Sequence, residues 1–461
     1  MIQNPNVHII ILAAGQGTRM KSSTPKVLHK ILGKSMLGHV LHTVEGLRPQ
    51  SLSVVVGHEA ERIRSVIGDP ANMNWVNQHE QLGTGHAVMQ CKSVSVGADN
   101  VLIVCGDTPL LQSDTLHKLM QNHQQSSAVI TMLTAKVVNP FGYGRVCRNT
   151  EGNVIGVVEH RDASLEQLSI DEVNAGIFCV KRVALFELLE QVSCDNDQNE
   201  YYLPDIIVHA LARNMKVGTV CIENDDEILG INNRVQLAEI EQRLQKRIVQ
   251  EWQLLGVTVQ QPESVRIEAT VKIGNDVELR AGTQLLGSTM IGDNCCIGPY
   301  SVIEDSWIDD AVEVFSFSHI QGAHVGSKSK VGPFARLRPE AELDEQVHVG
   351  NFVEIKKSIV GRGSKINHLS YIGDTQMGSD CNIGAGSITC NYDGANKHRT
   401  LIGDNVFVGS DTKMIAPVEI KSGATVGAGS IITKTVNENG LTLSARPEQR
   451  HVPGWQRPKK G

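Results

Sequence analysis

Residues 290–303 read Met-Ile-Gly-Asp-Asn-Cys-Cys-Ile-Gly-Pro-Tyr-Ser-Val-Ile and place an isoleucine at positions 291, 297 and 303. A helix repeats every 3.6 residues and a strand every 2, so neither explains a period of six. A parallel β-helix does, because each unit is a short strand plus a corner and its aliphatic side chain stacks inward on its copy one coil later. The aliphatic residues that follow this spacing are Ile267, Ile273, Leu279, Leu285, Ile291, Ile297, Ile303; Ile308, Val314, Ile320; Val325, Val331, Leu337, Leu343, Val349, Ile355; Val360, Ile366, Ile372; Met377, Ile383; and Ile402, Val408, Met414, Ile420, Val426, Ile432.

Glycine follows several of these aliphatic residues, as at Ile273-Gly274 and Val349-Gly350. We expect glycine at a corner to allow backbone angles that a Cβ would penalise. The repeat predicts a β-helix from about Val265 to about Ile432. Its spacing breaks at residues 389–400, Thr-Cys-Asn-Tyr-Asp-Gly-Ala-Asn-Lys-His-Arg-Thr, which predicts an insertion that loops out of the prism.

The first 230 or so residues alternate strand and helix patterns instead. The nearly continuous apolar run Val7–Leu12 is typical of a strand buried on both faces of a parallel sheet. Residues 53–57 and 101–105 read as further strands that end in glycine turns, and residues 36–44 read as an amphipathic helix. This pattern predicts a Rossmann-like, nucleotide-binding α/β domain with ligands at the carboxyl ends of its strands.

A long amphipathic helix is predicted between the two regions, over residues 234–255. Its apolar residues are three and four apart and a glycine follows it: Leu237, Ile240, Leu244, Ile248, Trp252, Leu255 and Gly256. The sequence therefore predicts an α/β domain at 1–234, a linker helix at 235–255, and a β-helix domain with a C-terminal tail at 256–461.

Composition excludes several classes of protein. Apolar residues make up 41% and charged residues 20%, as in soluble globular proteins, and the net charge of −7 argues against a general nucleic-acid binder. No apolar run is long enough to cross a bilayer, so we expect no membrane insertion. No basic segment precedes the first apolar run, so we expect no signal peptide. Ten cysteines without a Cys-x-x-Cys pair indicate reduced thiols in a cytoplasmic protein and no zinc site.

A candidate phosphate site follows the first strand, in Leu-Ala-Ala-Gly-Gln-Gly-Thr-Arg-Met at 12–20. Its glycines expose backbone N–H groups, and Arg19 and Lys26 supply positive charge. No acidic residue precedes Glu45, so this stretch is also basic as a whole. The segment matches neither a Walker loop nor Gly-x-Gly-x-x-Gly, and a plain turn beside a solvated basic face is the alternative.

Several motifs together resemble the sugar-nucleotide pyrophosphorylases. They are the segment at 12–20 with Pro25-Lys26, Gln-Leu-Gly-Thr-Gly-His-Ala at 81–87, Cys-Gly-Asp at 105–107 and Gly-Tyr-Gly-Arg at 142–145. The predicted β-helix adds two further motifs, Asn-His-Leu-Ser-Tyr at 367–371 and Asn-Tyr-Asp-Gly at 391–394. Over nearly its full length the chain is similar to the bacterial family of bifunctional UDP-N-acetylglucosamine pyrophosphorylase/glucosamine-1-phosphate N-acetyltransferases. The β-helix of that family is left-handed.

The resemblance implies a uridylyl-transfer site in the first half, where UTP and Mg²⁺ bind. It implies sugar contacts from Gly144, Glu159 and Asn174. It implies nucleotide contacts from Leu12, Ala13, Ala14, Gly15, Gln78, Gly83, Thr84, Cys105, Gly106, Asp107 and Asn232. Asp107 and Asn232 would bind Mg²⁺, while Arg19 and Lys26 would engage the triphosphate. The nucleophile is already an anionic sugar phosphate, so orientation and charge neutralisation would suffice without a general base.

The resemblance implies an acetyl-transfer site on the β-helix. His368 would be the base that deprotonates glucosamine-1-phosphate before its amine attacks acetyl-CoA. A nearby group of cations would hold the sugar phosphate and favour a neutral imidazole; it comprises Arg336, Arg338, Lys356, Lys357, Arg362 and Lys365. Glu354 is a candidate to orient His368.

Further residues of this second site also follow from the resemblance. Sugar-phosphate contacts would come from Arg338, Lys356, Tyr371 and Asn382, and acetyl-CoA contacts from Ala385, Asn391, Tyr392, Ser410, Ala428 and Arg446. Ala445 is the alternative to Arg446, because the arginine stands one residue later than in the family pattern. Lys397 is either a phosphate or CoA contact to a neighbouring subunit or a solvated loop lysine.

The resemblance also implies a homotrimer assembled through the β-helix. The alternative hypothesis is a monofunctional nucleotidyltransferase whose β-helix is structural, oligomerising or regulatory. His368 and the Asn391-Tyr392 segment favour the bifunctional hypothesis, because a trimerisation prism needs neither.

Overall fold

The computed structural model describes residues 6–196, 198–444 and 451–456. The chain divides into two compact units, residues 1–244 and residues 245–461. The predicted contact at Arg446, its alternative Ala445 and much of the C-terminal tail lie outside the described residues.

The N-terminal unit contains a nine-stranded sheet and a short two-stranded one. In chain order the strands are β1 (Val7–Leu12), β2 (Lys30–Ile31), β3 (Lys34–Ser35), β4 (Ser51–Val56), β5 (Met73–Asn77), β6 (Asn100–Cys105), β7 (Ile130–Lys136), β8 (Arg145–Arg148), β9 (Val154–Val158), β10 (Glu172–Lys181) and β11 (Val217–Ile222). The large sheet has the order β11-β7-β10-β6-β1-β4-β5, with β8 and β9 paired beside β10, while β2 and β3 form the small sheet. Strand β1 is parallel to both β4 and β6 and carries three wholly buried isoleucines, as its apolar run predicts: Ile9, Ile10 and Ile11.

Helices cover both faces of this sheet. Among the described residues they are α1 (Met36–Glu45), α2 (Ala60–Ile67), α3 (Thr84–Met89), α4 (Ser113–Ser126), α5 (Leu165–Leu168), α6 (Arg182–Leu189), α7 (Ile206–Ala212) and α8 (Arg234–Leu254), with 3₁₀ turns at Thr18–Met20, Lys26–Leu28, Leu203–Asp205 and Asp225–Ile228. Two apolar clusters, one on each face of the sheet, make the core. The boundary between the two units falls inside α8.

The C-terminal unit contains a parallel β-helix with three faces, with a 3₁₀ turn at Pro262–Ser264 between its first two strands. The first face contains Thr258–Val259, Glu278–Leu279, Cys296–Ile297, Glu313–Val314, Lys330–Val331, His348–Asn351, Lys365–His368, Asn382–Ile383, Phe407–Val408, Thr425–Val426 and Leu441–Thr442. The second contains Arg266–Ile267, Gln284–Leu286, Val302–Glu304, His319–Gln321, Arg336–Leu337, Glu354–Lys356, Tyr371–Gly373, Ile388–Cys390, Lys413–Ile415 and Ile431–Ile432. The third contains Lys272–Ile273, Met290–Ile291, Trp307–Ile308, His324–Val325, Ala341–Leu343, Ser358–Val360, Thr375–Met377, Thr400–Ile402 and Val418–Ile420.

The aliphatic repeat fills the interior of this β-helix, as predicted. Every aliphatic residue of the six-residue series is buried, and each pairs with its counterpart one coil away, as Val349 does with Ile366 and Ile366 with Ile383. The first face extends beyond the predicted limits of about Val265 and Ile432, from Thr258 to Thr442. The period could not mark these end strands, because their residues Thr258–Val259 and Leu441–Thr442 are not buried.

The glycines of the repeat have a different role from the predicted one. Of the thirteen glycines that directly follow a repeat aliphatic residue, only Gly332 has a positive φ, of 105°. A Cβ on Gly350 would lie 2.0 Å from the carbonyl oxygen of Asn367 in the next coil, and several others face similar contacts. These glycines are needed because successive coils approach too closely for a side chain.

The predicted insertion loops out between the second and third faces. Strand Ile388–Cys390 ends before it and strand Thr400–Ile402 follows it. Between them, Tyr392 and Lys397 form an isolated antiparallel bridge across the loop. No helix in the described part of the chain is long and apolar enough to cross a membrane.

Candidate functional sites

The turn after β1 lies where the strand order of the large sheet reverses. The chain runs from β1 to β4 and β5 on one side and returns to β6 on the other. In such sheets ligands bind outside the carboxyl ends of the strands at this reversal. The turn is fixed there by two backbone bonds, from Ala13 N to Val55 O at 2.8 Å and from Gly106 N to Leu12 O at 2.9 Å. The predicted segments 12–15 and 105–107 are therefore neighbours.

Two cationic side chains and two side-chain oxygens converge beside this turn. Lys26 Nζ lies 2.5 Å from Asp107 Oδ2 and 2.9 Å from Asn232 Oδ1. Arg19 Nη2 also donates to Asn232 Oδ1, at 2.9 Å. The structure thus brings together four residues that are up to 213 positions apart in the sequence, at a point where a triphosphate would meet concentrated positive charge.

Gly17 allows Lys26 to reach this position. Its φ is +65°, and a Cβ there would lie 2.5 Å from Lys26 Cβ. The Gly-x-Gly turn thus serves packing as well as backbone exposure.

A cavity of about 550 Å³ opens over the turn. Its lining includes twelve of the predicted residues, namely Leu12, Ala13, Ala14, Gly15, Arg19, Lys26, Gln78, Gly83, Thr84, Cys105, Asp107 and Asn232. Gly106 lies at its base through the bond to Leu12. Burial raises the pKa of the Cys105 thiol to about 12, so Cys105 is a neutral wall residue and not a nucleophile.

One wall of the cavity depends on a contact that sequence reasoning missed. Gly83 has a φ of +101°, and a Cβ on it would lie 2.7 Å from the carbonyl oxygen of Tyr201. Tyr201 exchanges backbone hydrogen bonds with Leu82 and Gly85, both at 2.7 Å, and Leu203 N donates to Thr84 Oγ1 at 3.0 Å. No local pattern in residues 200–203 signals this long-range pairing.

A second cavity of about 380 Å³ shares Leu12, Arg19, Asp107 and Asn232 with the first. It contains the three residues predicted to contact the sugar: Gly144, Glu159 and Asn174. Asn174 N donates to Gly144 O at 2.9 Å, and a Cβ on Gly144 would lie 3.2 Å from Glu159 Oε1. Burial raises the pKa of the Glu159 carboxyl, and Asp162 and Asp205 raise it further.

The donor set near Lys26 suits a hard divalent cation. Carboxylate and amide oxygens are the ligands that Mg²⁺ prefers, and Mg²⁺ is usually held by one or two protein groups plus water and substrate phosphates. Asp107 and Asn232 supply two such oxygens, which both contact Lys26 Nζ. Within the described residues no cluster of three or more His, Cys, Asp or Glu side chains forms a metal site built by the protein alone.

On the β-helix, His368 lies at the edge between the first and second faces. Asn351 stands one coil below it, and Asn351 Oδ1 lies 2.9 Å from His368 Nδ1. An amide oxygen only accepts, so Nδ1 carries the proton and Nε2 has a free lone pair. Glu354, our candidate for orienting His368, instead accepts a hydrogen bond from Arg338 at 2.8 Å. The coil period of 17 to 18 residues could have identified Asn351.

The predicted cation group around His368 is partly neutralised within the chain. Besides the Arg338–Glu354 pair, Lys357 pairs with Glu340 at 3.6 Å and Arg362 with Glu345 at 3.9 Å. Glu340 and Glu345 stand one coil below their partners and Glu354 one coil above Arg338, so each pair is distant in the sequence.

Lys356 belongs to a cluster at the opposite edge of the second face. It holds the pKa of Lys397 below its usual range, so the two ammonium groups are close within one chain. Tyr371 and Asp374 act on Lys397 in the opposite direction, and Asn391 Nδ2 donates to Asp374 Oδ2 at 2.5 Å. Asp374, which the sequence did not single out, thus anchors the inserted loop. Two like charges here would suit a phosphate oxyanion.

The predicted acetyl-CoA contacts divide between the same two edges. Ala385, Ser410 and Ala428 stack in a column above His368, with Asp411 N donating to Ala385 O and Gly429 N to Ser410 O, both at 2.7 Å. Asn391 and Tyr392 follow the second-face strand Ile388–Cys390 and so lie at its far edge. Asn382 lies on the first face, paired with Lys365. One chain therefore does not bring all the predicted residues of this site together.

Comparison with known proteins gives matches in both units. Residues 9–168 match the MobA-like NTP transferase domain, and residues 270–305 and 399–434 match the six-repeat bacterial transferase hexapeptide family. The hexapeptide matches fall on the parallel β-helix, which is accordingly of the left-handed, hexapeptide-repeat type.

Similar full-length proteins share this arrangement. "Bifunctional protein GlmU" of Marinobacter nauticus is 45% identical over 98% of this chain and 99% of its own length. The protein of the same name from Pseudomonas entomophila is 45% identical over 99% of each chain, and that of Stutzerimonas stutzeri is 46% identical over 99% of this chain and 100% of its own. A nucleotidyltransferase domain followed by hexapeptide transferase repeats, with this identity over nearly the whole chain, shows that the protein belongs to the bifunctional GlmU family.

Proposed function

We propose that the chain catalyses two successive reactions that produce UDP-N-acetylglucosamine. Acetyl-CoA first acetylates glucosamine-1-phosphate on the β-helix, and UTP then reacts with the N-acetylglucosamine-1-phosphate at the α/β cavity. The proposed division is residues 1–234 for uridylyl transfer, 235–255 for the linker helix and 256–461 for acetyl transfer. A cytoplasmic location accords with the net charge, the cysteine usage and these soluble substrates.

For uridylyl transfer, an anionic phosphate oxygen of the sugar phosphate attacks the α-phosphorus of UTP. A P–O bond forms, the bond to the β-phosphate breaks, and pyrophosphate leaves. Arg19 and Lys26 lie together at the turn, where they would neutralise the charge that develops on the phosphates. The contiguous second cavity, with Gly144, Glu159 and Asn174, would orient the sugar so that its phosphate lies in line.

Asp107 and Asn232 are the proposed ligands of Mg²⁺. The ion would supply charge neutralisation and a template for the triphosphate. In the protein alone these oxygens contact Lys26, so binding of the ion and the triphosphate would redirect the ammonium toward a phosphate.

For acetyl transfer, His368 Nε2 accepts a proton from the amino group of the sugar. The amine nitrogen attacks the thioester carbonyl carbon, the C–S bond breaks, and CoA leaves as the thiol after protonation. The bond from His368 Nδ1 to Asn351 orients the ring with the Nε2 lone pair free. Arg338, Lys356, Tyr371 and Asn382 are the proposed contacts of the sugar phosphate.

We further propose a homotrimer in which neighbouring chains complete each acetyl-transfer site. The division of the predicted contacts between two edges of one face supports this assembly. A ladder of exposed aromatic rings also follows the His368 edge, with ring centroids 5.1–5.5 Å apart; it comprises Tyr300, Phe317, Phe334 and Phe352. Such a row of apolar side chains would be covered by a second copy of the chain.

The observation that carries the acetyl-transfer proposal is the His368–Asn351 pair at the base of the column formed by Ala385, Ser410 and Ala428. The test is release of free thiol from acetyl-CoA in the presence of glucosamine-1-phosphate. We expect His368→Ala to abolish thiol release and to leave pyrophosphate release from UTP and N-acetylglucosamine-1-phosphate unchanged. Absence of thiol release by the wild-type protein would favour a structural β-helix, and loss of both activities in a folded variant would contradict separate sites.

A further inference from the structure

His86 lies behind the nucleotide cavity and has no role in the chemistry described above. It occupies the first turns of α3 (Thr84–Met89) and does not line either cavity. Its ring contacts Gln78, which does line the larger cavity and is only 4% exposed. The geometry of this pair determines which polar atom of Gln78 faces a bound nucleotide.

The orientation of the Gln78 amide follows from its neighbours. Gln78 Nε2 lies 3.1 Å from the carbonyl oxygen of Gly83 and 3.1 Å from His86 Nδ1. A carbonyl oxygen only accepts, so the amide end that faces it must be the NH₂ group. The second hydrogen of that NH₂ group then points at His86 Nδ1, which must be unprotonated to accept it.

Both ring nitrogens of His86 face an amide nitrogen, and a neutral imidazole can accept a hydrogen bond at only one of them. The nitrogen of the Gln90 amide is 3.1 Å from His86 Nε2 and 3.1 Å from the His86 carbonyl oxygen. We assign the proton to His86 Nε2, because Gln90 is less buried than Gln78 and its amide can move away from Nε2–H at lower cost. The more buried amide of Gln78 thus sets the tautomer of His86.

With both amide hydrogens engaged, Gln78 presents its oxygen to the cavity. No described residue donates a hydrogen bond to Oε1. This oxygen is nevertheless not fully shielded from solvent. It is therefore an unpaired acceptor on an otherwise buried side chain, open to the cavity where the nucleotide would bind. A protonated Nδ1, by contrast, would repel the NH₂ group and favour the flipped amide, which presents donors.

We propose that His86 is a positioning residue for nucleotide selectivity: its unprotonated Nδ1 holds Gln78 with Oε1 toward the base. A pyrimidine with a ring N–H, as uracil has at N3, would donate to Oε1. Cytosine has a lone pair at N3 and would leave two acceptors facing each other. This inference rests on the proposed uridylyl transfer and identifies a residue that selects the base for that reaction.

The test compares two variants of similar shape. In His86→Asn the Oδ1 atom can take the place of Nδ1 as acceptor, whereas His86→Leu removes the acceptor. We measure kcat/KM for UTP and for CTP with N-acetylglucosamine-1-phosphate in each variant and in the wild-type protein. We expect the UTP/CTP ratio to fall at least tenfold in His86→Leu and to stay within about threefold of wild type in His86→Asn.

If His86 has only a structural role, His86→Leu should lower kcat/KM for UTP and for CTP by the same factor and leave the UTP/CTP ratio unchanged. That result would overturn the inference. If His86→Leu fails to fold, the ¹⁵N NMR shifts of the His86 ring in wild-type protein decide instead. An Nε2–H tautomer supports the inference and an Nδ1–H tautomer overturns it. Failure of the wild-type protein to use UTP at all would refute the proposed function, a distinct outcome.

Discussion

Replacement of Lys26 by methionine removes one of the two cations at the turn after β1 while keeping the apolar stem that packs on Gly17. The Lys26 side chain is only 11% exposed, and its ammonium contacts Asp107 at 2.5 Å and Asn232 at 2.9 Å. Arg19 remains on Asn232, so the variant loses one charged donor and not the whole site. Loss of one preorganised donor of this kind costs about 10²–10³-fold in kcat, or roughly 3–4 kcal/mol of transition-state stabilisation.

The assay is pyrophosphate release from UTP and N-acetylglucosamine-1-phosphate at saturating substrate. The control is Lys21→Met, which removes an exposed lysine from the same basic stretch and should change kcat by less than about twofold. Thiol release from acetyl-CoA, a function of the other unit, should be unchanged in both variants. If Lys26→Met keeps kcat within about threefold of wild type, charge neutralisation by Lys26 does not drive the reaction.

Three other predictions concern stability and packing, and all are measured by urea unfolding. Gly17→Ala should lower the free energy of unfolding of the N-terminal unit by about 1–3 kcal/mol, since its Cβ would lie 2.5 Å from Lys26 Cβ at a positive φ; a neutral effect would show that the turn relaxes freely. Burial lowers the pKa of His8 to about 4, so the unfolded chain takes up the proton first and up to about 3 kcal/mol of stability should be lost as the pH falls from 6.5 to 4. His8→Gln should flatten that acid limb, and an unchanged limb would assign it to other groups. Ile366→Ala should lower the free energy of unfolding of the C-terminal unit by about 2–5 kcal/mol, because Ile366 is buried. The control Lys365→Ala changes the exposed neighbour and should lower it by less than about 0.5 kcal/mol. Equal effects would mean that Ile366 is not a core residue.

The sequence specified the β-helix more completely than it specified the sites. A six-residue period leaves one packing solution, so the burial of Ile366 and its counterparts could be read directly from spacing. Strand β1 is predicted equally well, because a continuous apolar run that ends in a glycine turn is typical of a strand buried on both faces of a parallel sheet. The first and last strands of the β-helix could not be predicted from the period, because they lack a buried aliphatic residue.

The partners of the site residues depend on contacts that no local pattern contains. Residues 200–203 meet Gly83 from a distant segment. Asn351 is the exception, because the coil period places it beside His368. The role predicted for the glycines after the aliphatic residues is wrong, because close approach between coils is a tertiary property that the sequence does not display. The pairing of Asp107 with Asn232 came only from the family resemblance, and the structure supplies the physical link through Lys26.

The most direct test of two reaction centres in one chain is a single reaction that contains glucosamine-1-phosphate, acetyl-CoA, UTP and Mg²⁺. Free thiol and pyrophosphate are followed together in the same sample. We predict that both are released and reach equal final amounts when glucosamine-1-phosphate is limiting, since each acetylated sugar phosphate is then uridylylated. Pyrophosphate release only on addition of preformed N-acetylglucosamine-1-phosphate, with no thiol at any time, would contradict the account.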